Sequence, residues 1–481
     1  MKKKFIYYTL AGLLALGSAG CKKMSDFGDT NVDPSVTTVP NISALMTNAQ
    51  SNLGGQVFGG NMIIEGYYCQ YFSQSQYPDA MNYSLQQLSF TGAYAGSLYD
   101  LQNIINLNQS NNQNQVAKIL QQYYFWRITD QWGDVPYSEA LKGIEFNAPK
   151  YDTQEAIYKG MIAALTTAVA SFDGSPITGD IVFNGDVASW KRTANSLRVL
   201  MSIQLSKRYP GAGDYAATQL KAALADPAGV ITTNAQNFKL SFPGGNYKNT
   251  IWRGYDGRKD YGESKTLTDL TASLADPRQS AFGGASEQVG NTATSSVGIP
   301  YGFDKATTEA FTNNNPTWAR VLRGDLRAEN SPVYIVTAAQ VNLARAEAAN
   351  LGWTTENLAT LYADGISLSF EQWGAGAPSA GYLSNTNVAI GAVGAANNVK
   401  NISTQRYLAS YPDGLTGWNI WRKTGFPVLT PATAATNASK QIPRRIAYAT
   451  SEQTSNKANN DAAIARLQGG NTQDARIWWD Q

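Results

Sequence analysis

Residues 333–374 read VYIVTAAQVNLARAEAANLGW followed by TTENLATLYADGISLSFEQWG, two helical runs with little but Gly352 and Trp353 at the break. Helices joined that tightly must fold back antiparallel. Ala344, Ala346, Ala348 and Ala349 are small enough to let the partner helix approach closely. Helix pairs of about 35–40 residues are the unit of tetratricopeptide-like stacks. The strict repeat consensus is not met, so the spacing predicts helical-hairpin packing of that type and no more.

The first half of the chain repeats the helical signal. Val116, Ile119, Leu120, Tyr123 and Trp126 recur at helical spacing until Gly133 stops the run. Asp152 is placed to cap a following helix, with Glu155 completing a capping box. Ile157, Met161, Leu165, Ala168, Val169 and Phe172 line one face of that helix. A further helix covers 187–208 through Trp190, Leu197, Leu200 and Leu205. Between these blocks, residues 226–332 turn rich in Gly, Asn, Ser, Thr and Pro, and helical periodicity fails except near 264–275. The stretch 374–400 is similar. The first segment carries Trp252, Tyr255, Tyr261, Phe282, Tyr301, Phe303 and Trp318, too aromatic for disorder. The expected fold class is mainly α: tetratricopeptide-like helical hairpins with an irregular loop-rich portion packed on them.

The N-terminus is a processing segment. Lys2, Lys3 and Lys4 precede an apolar run from Phe5 to Gly17, which is too short to span a bilayer and reads as a signal-peptide core. Ser18, Ala19 and Gly20 then lead to Cys21, an arrangement that resembles a bacterial lipobox, with lipid attachment at Cys21. Residues 1–20 are the expected signal peptide, 21–40 a lipidated tether and 41–481 the folded domain. Loss of the signal peptide removes three lysines and no acids, so Lys+Arg falls from 38 to 35 against 36 Asp+Glu. The mature chain lacks the basic excess of a nucleic-acid binder. Cys69 is then left without an intramolecular partner. In the tether, Asp29, Asn31 and Asp33 match the start of a calcium loop, but Pro34 and Pro40 stand where glycine and glutamate are required. No metal or cofactor is expected.

Histidine is absent altogether, which excludes Ser-His-Asp, Cys-His and HExxH zinc chemistry. Two aspartate pairs are candidates for glycosidase carboxylates. Asp130 and Asp134 border a turn, where aspartates satisfy backbone donors. Asp256 and Asp260 lie among Arg253, Arg258 and Lys259, surroundings that disfavour a general acid. An enzyme is not expected.

Several motifs occur in order: ITDQWGDVPYSEAL (128–141), LADPR (274–278), VNLARAEAANLGW (341–353), WRKTGFPVL (421–429), IPRRIAYATSEQTSN (442–456) and a terminal WWD (478–480). With the lipobox they resemble the SusD/RagB family of nutrient-binding outer-membrane lipoproteins, in its SusD-like branch. The resemblance implies an α-helical lipoprotein at the cell surface that caps a SusC-like TonB-dependent transporter as a lid. It implies capture of oligosaccharide without a catalytic step. Peptide cargo, or a structural lipoprotein with no ligand of its own, are the alternatives.

A sugar-binding protein needs exposed aromatic faces with polar groups at the rim. Ile64, Tyr67, Tyr68, Tyr71 and Phe72 follow the helix period and are assigned to the core. Tyr77, Asp79 and Tyr83 fall beyond that run, where the pattern predicts a loop, and are ligand candidates. Trp252, Arg253 and Tyr255 lie among glycines and are candidates with Tyr301 and Trp318. Trp478 and Trp479 are assigned to the scaffold.

Overall fold

A computed structural model describes residues 40–59 and 62–481 of the chain. The expected signal peptide, Cys21 and the tether up to residue 39 lie outside the described residues. The helices that build the scaffold are α1 (Ile42–Ser51), α2 (Met62–Tyr68), α3 (Tyr99–Leu107), α4 (Asn111–Trp132), α5 (Gln154–Ser171), α6 (Val187–Gln204) and α7 (Tyr215–Ala225). They continue with α8 (Thr250–Tyr255), α9 (Lys265–Leu274), α10 (Lys305–Asn314), α11 (Ala338–Asn350), α12 (Leu358–Gln372), α13 (Asn398–Ser410) and α14 (Gly414–Thr424). Consecutive helices pack as pairs: α4 with α5, α6 with α7, α11 with α12 and α13 with α14. Contacts of α5 with α6, α6 with α11 and α11 with α13 join the pairs into one stack.

Ser110 caps α4 by accepting from the Gln113 N–H, and Gly133, at φ 88°, ends it. The sequence pattern gives α4 one apolar face, yet the structure buries nearly its whole circumference. Several of its polar side chains are paired across the fold. The Gln113 amide donates to the carbonyls of Ile42 (2.9 Å) and Thr178 (3.0 Å). Arg127 forms a buried bidentate pair with Asp413 at 2.7 and 2.8 Å, tying α4 to the start of α14. Burial makes such pairing obligatory, because a lone charge there is costly.

The α5 cap differs from expectation. Thr153, not Asp152, accepts from the Ala156 N–H. Asp152 instead accepts the backbone N–H groups of Tyr137 and Ser138, and Glu155 pairs with Lys159. Two candidate caps stood side by side, and a tertiary demand for an acceptor claimed the aspartate. In the α11–α12 hairpin the helix begins only at Ala338, where Thr337 and Gln340 form a capping box; Val333–Val336 is a strand. The close approach expected from the alanines is made from both sides. A Cβ on Gly365 of α12 would stand 2.7 Å from Leu343 Cγ of α11.

Strands are short: β1 (Phe72–Gln74), β2 (Val135–Pro136), β3 (Tyr151–Asp152), β4 (Phe238–Leu240), β5 (Tyr261–Glu263), β6 (Gly283–Gly284), β7 (Arg320–Val321) and β8 (Val333–Val336). Among the described residues they form four antiparallel ribbons, β1–β5, β2–β3, β4–β8 and β6–β7. The loop-rich segment 226–332 is thus held by ribbons and short helices rather than by a periodic face. It also contains α10, which the sequence pattern did not announce. Thr308 is its one fully buried residue, and Asp304 caps it. The Gly/Ala-rich stretch 374–400 is pinned by asparagines of α13: Asn398 donates to the Ala392 carbonyl (2.8 Å), and Asn401 to the Ala389 carbonyl (2.6 Å).

Candidate functional site

Two elements distant in sequence build the site. The ladder β1–β5 pairs Phe72 with Glu263, Ser73 with Gly262 and Gln74 with Tyr261. The loop beyond β1 is drawn along: the Ser75 N–H and hydroxyl both donate to the Asp260 carbonyl, at 2.7 and 3.0 Å. Gln76 donates to Glu309 of α10 at 3.0 Å. This fixes the chain leading into Tyr77, which is 65% exposed. Opposite stands α8, capped by Asn249, which accepts the N–H groups of Ile251 and Trp252. Gly254 of α8 meets Tyr261 so closely that a Cβ there would stand 1.9 Å from the phenol oxygen.

Between them lies a cavity of about 590 Å³. Its floor is Phe58, Ile64, Tyr67 and Tyr261, and its rim carries Tyr77, Gln74, Arg253 and Arg258. Gln74 donates to the Tyr67 hydroxyl at 3.2 Å. Burial pushes the phenols of Tyr67 and Tyr261 above their ordinary range, so both act as neutral hydrogen-bonding groups. Arg258 is tied to Asp260. Among the described residues the Arg253 side chain has no hydrogen-bond or ion-pair partner, and it stands at the rim. Aromatic faces below and a few polar groups at the rim are what a polyhydroxylated ring requires.

Two of the sequence candidates, Tyr77 and Arg253, are brought together here. Four others are corrected, because the loop layer has a core of its own. Tyr83 is fully buried, and its hydroxyl accepts the Ala432 N–H at 2.9 Å. Tyr301 is buried with its hydroxyl 3.3 Å from that of Tyr83. Tyr255 is buried, donates to the Tyr261 carbonyl and accepts from the Val321 N–H. Trp318 is buried with the Arg320 guanidinium over its ring at 3.7 Å. None offers a face to a ligand. Trp252 is half-buried beneath Lys248 Nζ at 3.9 Å, and exposed Asp79 does not line the cavity. Tyr67, Gln74, Arg258 and Tyr261 line the same cavity and were not among the sequence candidates. Gln74 and Arg258 sit within a few residues of Tyr77 and Arg253, and that proximity was the available signal.

The aspartate pairs do not form a carboxylate dyad. Asp130 is buried, accepts from Tyr158, Trp479 and Asn419, and burial pushes it up to about 6. Asp134 accepts the Gln154 N–H and pairs with Arg466. Asp260 is held by Arg258, and Asp256 is exposed. A larger groove of about 930 Å³ lies along α11 and α12, lined by Arg345, Asp364, Ser367 and Glu371 but by no aromatic ring.

A family model described as SusD-like, "Starch-binding associating with outer membrane", matches residues 34–449. The chain belongs to the SusD-like family. Among solved structures, a chitin-binding protein 25% identical superposes with TM-score 0.77 over 92% of this chain and 100% of its own. A chitin-binding SusD homologue from Flavobacterium johnsoniae is 24% identical, with TM-score 0.79 over 92% and 98%. A SusD homologue from Bacteroides thetaiotaomicron is 22% identical, with TM-score 0.76 over 92% and 99%. No curated protein matches the sequence. The helical, tetratricopeptide-like fold is that of SusD-like proteins. Among the described residues no helix is long and apolar enough to cross a membrane.

Proposed function

We propose that this SusD-like protein captures an oligosaccharide in the cavity between Tyr77 and Arg253 and delivers it to a SusC-like TonB-dependent transporter, over which it closes as a lid. The supporting observation is the convergence of an exposed tyrosine and an arginine without a partner among the described residues over an aromatic floor. The family's starch-binding description and the chitin-binding names of two structural neighbours point to the same ligand class. Attachment is through lipid on Cys21 at the outer membrane, where burial of more than one acyl chain makes anchoring stable. Binding is non-covalent and no bond of the ligand is broken. Closure follows from whatever greater affinity ligand and transporter have for the closed state.

Calorimetric titration of the mature chain with oligomers of glucose and of N-acetylglucosamine tests the site, with spent samples analysed for cleavage. Binding with intact sugar is expected. Tyr77→Ala and Arg253→Ala should each weaken it about tenfold or more. Unchanged affinity in both variants overturns the site, cleavage overturns the binding-only reading, and binding of short peptides alone overturns the cargo. Co-purification with the transporter encoded in the same cell checks the partner.

A further inference from the structure

A second cavity, of about 340 Å³, lies at the C-terminal end of α14 and shares no lining residue with the first. Its apolar side is Trp421, Leu429 and Ile442. Trp421 is half-buried, and the Arg444 guanidinium lies 4.7 Å from its ring centroid. Its indole N–H donates to no protein group. The polar side is equally unfinished. The Gln441 amide is exposed and makes no side-chain hydrogen bond with the protein. Asp474 uses only Oδ1, for Asn437 and Ser439, leaving Oδ2 open. Arg476 uses only Nη1, for Asp480.

The walls are preformed. Asn437 donates to the Gln441 carbonyl and to Asp474, and Ser439 also donates to Asp474, so the loop 437–441 is closed on itself and onto the C-terminal segment. Arg444 is held by Asp480 and by the Arg422 carbonyl. Arg444, Arg476 and Lys207 are all held on Asp480, and Asp474 adds a second carboxylate. Among the described residues, spare donors at Trp421, Gln441 and Arg476, a spare acceptor at Asp474 and an aromatic wall match the alternating hydroxyls and C–H faces of a neutral pyranose. The volume is at the small end for ligand sites, the size of a terminal sugar or a short oligosaccharide.

We infer that this cavity is a second, independent binding site for neutral carbohydrate, with Trp421 as its platform and Gln441, Asp474 and Arg476 as its hydrogen-bonding rim. Fluorine NMR of the mature chain carrying fluorotryptophan tests it, with Trp421→Phe assigning the resonance. Short neutral oligomers of glucose, N-acetylglucosamine, xylose, mannose and galactose serve as probes. The Trp421 resonance is expected to shift with at least one series, and to do so equally in Tyr77→Ala. Gln441→Ala, an exposed position that leaves the fold intact, should weaken that shift about fivefold. A Trp421 resonance unmoved by every series overturns the second site, whether or not the first cavity responds. A shift abolished by Tyr77→Ala also overturns it, since the two sites would not be independent.

Discussion

Glu65 of α2 is fully buried, and among the described residues its carboxyl oxygens find no partner beyond its own backbone. Burial outweighs its own backbone N–H and the attraction of Arg127 and Arg422 and pushes it up to about 8, with Asp413 adding to the rise. The unfolded chain returns it to about 4.5. The folded state therefore binds more protons than the unfolded state across this window, so stability is present below pH 4.5 and is lost as pH rises towards 8. Between pH 5 and 7.5 the loss attributable to this one carboxyl is about 3 kcal/mol. Glu65→Gln keeps the shape and removes the titration. Urea unfolding followed by circular dichroism at several pH values should show wild-type stability falling more steeply than the variant's by about that amount. Glu263 is pushed up to about 8 by the same cause and remains in both proteins, so the comparison isolates Glu65. Parallel wild-type and variant curves would refute the argument.

Arg278 is fully buried and binds Asp276 at 2.6 and 3.0 Å, with Ser369 and Gln405 completing its donors. Arg278→Met should cost about 3–5 kcal/mol by stranding that carboxylate, read as a drop in urea midpoint. Gly365→Ala forces a methyl against Leu343 Cγ and should cost about 1–2 kcal/mol despite the better helix former. Cys21→Ala should release the protein from membranes without unfolding it, and a variant still found in the membrane fraction would dispose of the anchor.

The motifs that made the family legible prove to be the joints of the scaffold. LADPR supplies the Asp276–Arg278 pair, and Glu347 of VNLARAEAANLGW receives both Arg406 and Lys423, the latter from WRKTGFPVL. Asp480 of the terminal WWD gathers Lys207, Arg444 and Arg476. Buried charges must be paired, so their positions and spacings leave a readable trace. The first cavity leaves none. Loop was equated with surface, and that equation failed for Tyr83, Tyr255, Tyr301 and Trp318, because a long irregular segment buries aromatic rings against itself. It held for Tyr77, which lies three residues beyond the end of a buried ladder and is exposed.

That ladder has a further consequence. The hydrogen bond from Ser75 to Asp260 joins positions 185 residues apart, with several of the scaffold helices threaded between. Closing so long a loop costs entropy that only the intervening packing repays, so contacts of this range form late. The first cavity is then a property of the whole chain: a collapsed form with its helices in place and the ladder unmade lacks it. Ligand that occupies only the closed cavity draws the population towards the completed fold, the more so as its concentration exceeds its dissociation constant. On the proposed function, carbohydrate acts as a folding cofactor, and its bound fraction counts molecules whose two distant walls have met.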